Sequence, residues 1–195
     1  MNPDNETRAG QKLSGAAKAL RVSFKDKVVL DIGSSTGGFS SLALRGGATK
    51  VIAVEKGTRQ MRTKLAADPR IELHEKTDIF GFVPAVAADL ILADVSFVSL
   101  RRVLLYAREH LARDGTEFLV LLKPQFEVNS RDLHKGVLKS SRVRREVMTD
   151  FEAWLKMNGF VVLGKRDSEV AGRFGNRERF YWLCYGEKKR GRSQK

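Results

Sequence analysis

The chain has 195 residues, of which 42% are hydrophobic, so it is long enough for one well-buried domain and short for two. Its 36 Lys and Arg residues outnumber its 23 Asp and Glu residues, and the net charge of +13 indicates a polyanionic partner, with nucleic acid favoured over an anionic membrane surface. Because the sequence has neither a signal peptide nor an apolar run near the roughly 20 residues that span a bilayer, we expect a soluble cytoplasmic protein with no membrane partner.

The first predicted strand, 27–32, leads into a glycine-rich turn and then a helix over 40–44. Glycine has no Cβ, so the backbone can bend sharply there and approach a ligand closely. The order Asp-x-Gly-x-x-x-Gly-Gly differs from the dinucleotide fingerprint Gly-x-Gly-x-x-Gly and is typical of class I S-adenosylmethionine (SAM) methyltransferases. We therefore predict a cofactor loop in which Gly33, Ser34, Gly37 and Gly38 surround the methionine part of SAM. The same loop contains Asp31, Ser35, Thr36 and Phe39.

The next two strands supply the other predicted cofactor residues. A strand over 50–55 ends in Glu55, about 20 residues beyond the loop, where an acid can reach ribose hydroxyls. A helical stretch over 58–66 and a third strand over 70–75 follow, and Asp78 lies where many such folds hold the adenine. Lys56 and Ile79, the neighbours of these two acids, complete the predicted SAM site.

The rest of the chain predicts a mostly parallel sheet. We expect a strand over 88–94, a helix over 98–111, a strand over 117–123, a loop over 125–138, a basic helix over 141–157 and a closing hairpin over 159–164 and 178–185. These elements predict a Rossmann-like α/β domain over 1–186, with seven strands and helices on both faces. We expect residues 1–7 to be flexible and 187–195 to be a disordered basic tail that binds phosphates. Cys184 is expected to be a buried strand residue.

Polar residues at the carboxyl ends of parallel strands meet beside the cofactor loop. Asp94 and Lys123 end two strands, Glu178 opens the last one and Lys12 precedes the first. Taken alone, Lys12 or Glu178 is more often a solvated surface charge. As a group they suit methyl transfer to a ribose hydroxyl, with Lys123 either a base or an orienting ammonium. The three His residues have no metal-like spacing, so we predict no metal site.

Five segments carry a resemblance to a known family. They are Arg8-Ala-Gly-Gln-Lys12-Leu13, the loop 31–39, Ala93-Asp-Val-Ser-Phe-Val-Ser-Leu100, Leu122-Lys-Pro-Gln-Phe-Glu127 and Gly175-Asn-Arg-Glu178. From about residue 7 to 185 the chain resembles the TlyA (hemolysin A-like) ribosomal RNA 2′-O-methyltransferases, which are related to the FtsJ group. The resemblance implies a (cytidine-2′-O)-methyltransferase-like enzyme that acts on ribosomal RNA or ribosomal subunits. It also implies the catalytic set Lys12, Asp94, Lys123 and Glu178.

Two departures from the family pattern and three rival functions accompany this prediction. Family members usually carry an N-terminal S4 domain before this segment. We expect this chain to lack it and an accessory RNA-binding protein to help deliver the substrate. Ala9 replaces a family glycine, so either Lys12 is displaced or RNA orders this arm. The rivals are a non-catalytic RNA-binding or ribosome-assembly module, a membrane-active hemolysin, and base or protein methylation. Asp94-Val-Ser-Phe97 in place of an Asn/Asp-Pro-Pro-aromatic motif disfavours base methylation.

Overall fold

A computed structural model describes residues 7–172 and 174–186, which form a seven-stranded sheet with helices on both faces. The strands are β1 (Val28–Ile32), β2 (Lys50–Val54), β3 (Ile71–His74), β4 (Leu90–Ala93), β5 (Glu117–Leu122), β6 (Phe160–Asp167) and β7 (Arg179–Tyr185). The α-helices are α1 (Arg8–Leu20), α2 (Gly38–Arg45), α3 (Thr63–Ala66), α4 (Leu100–Tyr106) and α5 (Ser141–Met157). Shorter helical turns are Ile79–Gly81, Ala107–Leu111, Pro124–Phe126 and Ser130–Asp132.

The sheet has the strand order β3-β2-β1-β4-β5-β7-β6. Strands β1 to β5 are parallel, and β7 runs antiparallel to both of its neighbours. The predicted Rossmann-like, mostly parallel sheet and its closing hairpin are therefore confirmed. The chain switches sides between β1 and β4, and open α/β sheets bind their ligands at the carboxyl ends of the strands on either side of such a switch.

Successive side chains along each strand point to opposite faces of the sheet, so the hydrophobic core is divided into two clusters, one on each face. Leu30, Ile91 and Val120 pack on one side with residues of α4 and α5. Their strand neighbours point the other way and join residues of α1 and α2 in a second cluster. All three named strand residues are at most 1% exposed. Since both sheet faces are covered, the central strands are almost continuously apolar, apart from Asp31 in β1 and the first residues of β2 and β5.

Helix α1 was not predicted as an element, yet it forms much of the second face. Thr7 caps its N-terminus, because the Thr7 hydroxyl accepts a hydrogen bond from the Gly10 N–H (3.1 Å). Leu13 is fully buried against the sheet, and Ala16 is 3% exposed. The apolar spacing from Leu13 to Ala17 and the Thr7 cap are sequence signals of this helix. Ala9 lies in the first turn of this helix and is compatible with it, and Lys12 lies one turn further along.

Four further expectations are corrected. The helical stretch over 58–66 shortens to α3, because Arg59 has a left-handed φ of +51° and Glu75 accepts hydrogen bonds from the N–H groups of Arg59 and Gln60. The predicted loop over 125–138 contains two 3-10 turns, and β6 extends to Asp167. Cys184 lies in β7 but is partly exposed.

The expectations for the two chain ends concern residues that are for the most part outside the described ranges. Of the predicted flexible start, only Thr7 is described, and it is an ordered helix cap. The predicted tail over 187–195 lies outside the described residues. Within the described residues, no helix combines the length and apolarity needed to cross a membrane.

Candidate active site

The glycine-rich loop joins β1 to α2 with an unusual backbone. Gly33 (φ +79°) and Gly37 (φ +83°) both adopt left-handed conformations. A Cβ on Gly33 would lie 3.0 Å from the Asp94 carbonyl oxygen, so glycine lets the ends of β1 and β4 approach closely. Gly33 and Ser34 donate backbone hydrogen bonds to the Val54 carbonyl (2.9 and 3.2 Å). The loop is therefore fixed to β2 as well as to β4.

Three residues of the predicted loop, Ser34, Ser35 and Thr36, are exposed or carry an unsatisfied polar atom. Ser35 and Thr36 are exposed at its tip. The Ser34 hydroxyl is buried and has no hydrogen-bond partner in the described part of the chain. Gly38 begins α2. A Cβ placed on Gly38 would lie 2.9 Å from the Ala9 Cβ, so α1 packs closely against this end of the loop. The orphaned Ser34 hydroxyl is a polar group that a ligand can satisfy.

Asp31 and Phe39, also predicted for the loop, point their side chains into the protein. Phe39 is 2% exposed and packs against Phe180 with ring centroids 6.1 Å apart. Asp31 is fully buried; its Oδ2 accepts a hydrogen bond from the Ser40 hydroxyl (2.6 Å), and its Oδ1 has no partner among the described residues. Burial, reinforced by the negative charges of Asp94 and Glu55, raises the pKa of Asp31 to about 7. These two side chains support the loop from beneath.

Glu55 lies at the end of β2, beside the tip of the loop. Its Oε2 accepts a hydrogen bond from the Ser35 N–H (2.9 Å), and its Oε1 accepts one from the Gly57 N–H (2.7 Å). The Thr77 N–H bonds to the Glu55 carbonyl (3.0 Å), which joins the ends of β2 and β3. The predicted ribose acid is therefore adjacent to the loop.

The residues predicted near the adenine form a small cluster after β3. Asp78 pairs with the Lys56 ammonium (2.9 Å) and caps the following 3-10 turn through the Phe80 N–H (3.1 Å). Lys56 is 81% exposed, whereas Ile79 is 8% exposed and belongs to the core. The Lys56 ammonium and the hydrogen bond from Phe80 lower the pKa of Asp78. The exposed face of this cluster thus consists of the ion pair.

The four predicted catalytic side chains form two ion pairs. The Lys123 Nζ lies 2.7 Å from the Asp94 Oδ1, and the Lys12 Nζ lies 2.6 Å from the Glu178 Oε2. Leu122 of β5 pairs with Arg179 of β7, so Lys123 and Glu178 are the next residues on two adjacent strands. The sheet thereby brings the two pairs together from four elements, and their formal charges cancel.

The pair of Lys12 with Glu178 is buried, with side chains 8% and 3% exposed. The Gln125 side chain donates a hydrogen bond to the other carboxylate oxygen (3.3 Å). A Cβ on Gly172 would lie 2.5 Å from that same oxygen, so glycine makes room for the carboxylate. Breaking a buried pair by removing one partner typically costs about 3–5 kcal/mol, because the other charge remains buried.

The loop after β4 presents an aromatic ring next to Lys123. Phe97 is 92% exposed and has a φ of +64°, a conformation that bulky residues rarely adopt. Its ring lies 5.1 Å from that of Phe126, and the Ser96 hydroxyl accepts a hydrogen bond from Lys123 (2.9 Å). Residues held in such strained backbone conformations cluster at active sites and ligand clamps.

Glu127 braces this loop against the one that carries Lys123. Its carboxylate accepts hydrogen bonds from the Ser99 hydroxyl and the Leu100 N–H (both 2.7 Å), and so caps α4. The side chain is 4% exposed, and burial raises its pKa. The sequence prediction did not assign site roles to Ser96, Phe97, Gln125, Glu127 or Gly172. Their signal was present for the first four, which lie within the segments that carry the family resemblance.

Comparison with known proteins agrees with this geometry. The sequence pattern of FtsJ-like methyltransferases matches residues 6–186. The chain belongs to the FtsJ-like methyltransferase family. A relative from Campylobacter jejuni, named 23S rRNA (cytidine-2′-O)-methyltransferase TlyA, is 38% identical over 178 residues, which cover 90% of this chain and 69% of the relative. A relative from Bacillus subtilis, which is named as the rRNA methyltransferase YqxC, is 36% identical over 88% of this chain and 63% of its own length.

Solved structures place this FtsJ-like domain in the same fold. A candidate hemolysin from Streptococcus thermophilus is 32% identical and superimposes with a TM-score of 0.88, over 93% of this chain and 67% of the other. The chain spans about two thirds of the length of each of these three relatives. The cofactor of the family is SAM. The left-handed glycines, the orphaned Ser34 hydroxyl and the acid at the end of β2 fit a cationic nucleoside of this kind.

Proposed function

We propose that this chain is a SAM-dependent methyltransferase that modifies a ribose 2′-oxygen in ribosomal RNA. The observation that carries the proposal is the pair of ion pairs, Lys123 with Asp94 and Lys12 with Glu178, at the strand ends next to the Gly33 loop. The names of the relatives and the surplus of basic residues support an RNA substrate. Such a substrate would place the enzyme in the cytoplasm. Assistance from a separate RNA-binding protein stays a prediction.

The reaction forms an oxygen–carbon bond to the ribose, breaks the carbon–sulfur bond of the methyl donor, and releases the hydroxyl proton. SAM, when bound, supplies a methyl group that its sulfonium makes reactive. A neutral hydroxyl is a weak nucleophile, so its orientation toward the methyl carbon governs the rate. Lys123 is held by Asp94 and Ser96, which favours its use as an ammonium that orients the ribose oxygen. Asp94 then accepts a hydrogen bond from the hydroxyl, and the proton leaves to solvent during or after transfer.

Lys12 and Glu178 complete the site from α1 and β7. Their pairing is buried, and both Glu178 oxygens are already occupied, by Lys12 and Gln125. This arrangement fixes the Lys12 ammonium where a second donor can reach the ribose. Because the ammonium is shielded from water, its electrostatic effect on the substrate is stronger than that of an exposed lysine.

The cofactor would be held by the loop and by the two acids beside it. We assign the methionine part to Gly33, Ser34, Gly37 and Gly38, with Thr36 and Ser35 at the loop tip. Glu55 would bind the ribose of the cofactor, and the Asp78 cluster its adenine. Asp31 and Phe39 would act through the backbone that they support.

Phe97 is the residue we assign to the base of the target nucleotide. Its ring faces solvent beside Lys123 and is backed by Phe126. Stacking of a base on an aromatic side chain is worth roughly 1–3 kcal/mol and does not depend strongly on base identity. A stacked base would hold the attached ribose close to the ion-paired lysines.

The test is transfer of labelled methyl groups from SAM to unmodified ribosomal RNA and to intact subunits, with the product nucleoside identified by mass spectrometry. A ribose-methylated nucleoside that disappears with Lys123→Ala supports the proposal. Lys27→Ala is the matched control, because Lys27 also forms an ion pair, with Glu117 (2.8 Å). That pair lies at the amino ends of β1 and β5, away from the strand ends that carry Asp94 and Lys123. A base-methylated product, or normal turnover by Lys123→Ala, contradicts it.

A further inference from the structure

A tight turn over 134–137 projects from the loop that follows Lys123. The His134 and Val137 backbones exchange two hydrogen bonds (2.9 and 3.0 Å), and the two central residues, Lys135 (φ +49°) and Gly136 (φ +77°), are both left-handed. Such a turn favours Asn-Gly, so the lysine is not there for its backbone preference. The geometry instead presents the exposed Lys135 side chain at the tip.

Asn176 ties this turn to the catalytic segment. Its side-chain oxygen accepts a hydrogen bond from the Leu138 N–H (2.9 Å), and its amide donates one to the Gly136 carbonyl (3.0 Å). Asn176 is 4% exposed, and its own carbonyl accepts a hydrogen bond from the Gly172 N–H (2.8 Å). Glu178 is two residues further along, a distance of at most about 7 Å. The turn is therefore held at a fixed position close to the Lys12 pair.

Four exposed cations lie in the turn and in the sequence on either side of it. Arg131, Lys135, Lys139 and Arg145 are all exposed, and none of these four forms an ion pair within residues 7–172 and 174–186. Some exposed cations elsewhere have a partner, as Arg166 does in Glu169 (2.9 Å), whereas Lys18, Arg21 and Lys25 are exposed and, among the described residues, equally unpaired. We call Arg131, Lys135, Lys139 and Arg145 the basic turn surface. Residues 131–145 contain six Lys and Arg residues and one acidic residue, Asp132, so this segment attracts anions.

We propose that the basic turn surface binds backbone phosphates of the RNA next to the target nucleotide. The inference rests on the proposed function for the identity of the polyanion. It adds the place where that polyanion is held and the role of Asn176 as the residue that positions it. A rigid cationic arm beside the site would fix the direction in which the strand enters and bring its ribose to the Lys123 pair.

The experiment compares two triple variants in binding to unmodified ribosomal RNA transcribed in vitro. The first is Arg131→Gln, Lys135→Gln and Lys139→Gln. The control is Lys18→Gln, Arg21→Gln and Lys25→Gln, which removes the same charge from the far end of α1 and the loop after it. Dissociation constants are measured from 50 to 300 mM salt, and a SAM titration checks that each variant is folded.

We expect the first variant to lose about 2 units of the slope of log affinity against log salt, at roughly 0.7 per phosphate contact on single-stranded RNA. That loss corresponds to roughly 100-fold weaker binding at 0.1 M salt. The control should retain the slope of the wild type. Equal slopes in both variants, or a wild type that does not bind RNA, overturn the inference.

Asn176→Ala tests the positioning role, because it removes no charge. It should weaken RNA binding, and in combination with the first triple variant it should add little, since both act through the turn. Full additivity overturns the role of Asn176. The binding assay needs no methyl transfer, so failure of the proposed function and failure of this inference give different results. If the proposed function is wrong, the wild type gives no ribose-methylated product. If only this inference is wrong, the wild type still gives the product, but the two triple variants have the same slope.

Discussion

Asp31 lies beneath the cofactor loop and makes the stability of the free protein depend on pH. Its carboxyl is fully buried, accepts one hydrogen bond from Ser40 and has an Oδ1 without a partner among the described residues. Burial is the main reason that its pKa rises from 3.8 to about 7. Asp31→Asn keeps the size of the side chain and an oxygen for Ser40, and it removes the ionisation.

The sign follows from comparing the two states. Below pH 3.8 the carboxyl is protonated in both the folded and the unfolded chain, so it imposes no penalty. As the pH rises toward 7, the unfolded chain releases its proton and the folded chain retains it, which lowers the free energy of unfolding. The loss is about 1.4 kcal/mol per pH unit and roughly 4 kcal/mol in total, reached once the pH exceeds the folded pKa.

Urea denaturation at pH 5, 6, 7 and 8 measures this effect as the difference in free energy of unfolding between Asp31→Asn and the wild type. We expect Asp31→Asn to gain roughly 3 kcal/mol relative to the wild type from pH 5 to pH 8. Val29→Ala, at a fully buried position on the same strand, is the control, since its difference should not change with pH. A constant difference for Asp31→Asn as well would refute the reasoning about its buried carboxyl.

Three further substitutions test the site and its support. Phe97→Ala should raise the KM for RNA roughly 10-fold or more, because one base stack is lost, and it should not weaken SAM binding. Steady-state methylation kinetics measure this KM, and an unchanged value would show that Phe97 does not bind the target base. Gly172→Ala should lower kcat roughly 100-fold by displacing the Glu178 carboxylate, with SAM affinity retained, and a normal kcat would show that this carboxylate tolerates movement. Gly38→Ala should destabilise the protein by about 1–3 kcal/mol in thermal unfolding because its Cβ would overlap Thr7 and crowd Ala9, whereas Gly81→Ala, with open space around it, should not.

The positions of the parallel strands along the chain and the position of the glycine-rich loop were predictable from the sequence. Both rest on local patterns: continuous apolar runs for buried strands, and a glycine turn between a strand and a helix. Placing Asp94 and Lys123 at neighbouring strand ends followed from the same patterns, because parallel strands align their carboxyl ends. The structure brings these two side chains within 2.7 Å.

What the sequence did not predict depends on contacts between distant segments. The pairing of Lys12 with Glu178 joins residues 166 positions apart, and no local pattern encodes it. The same holds for Asn176, whose hydrogen bonds to Gly136 and Leu138 are visible only once the two loops are folded together. Helix α1 differs, because its signals are local: the Thr7 cap and the helical spacing of Leu13, Ala16 and Ala17.

The position of β7 between β5 and β6 has a consequence for synthesis of the protein. Glu178 opens the last strand, and Lys12 lies on the first helix, so the second ion pair forms only when both ends of the domain are present. A chain still being translated has the cofactor loop and Lys123 before β7 exists. In the proposed mechanism, which uses this pair, methylation can begin only after residue 178 has left the ribosome. Under that mechanism the nascent chain is inactive while it is still attached to the ribosome, next to ribosomal RNA.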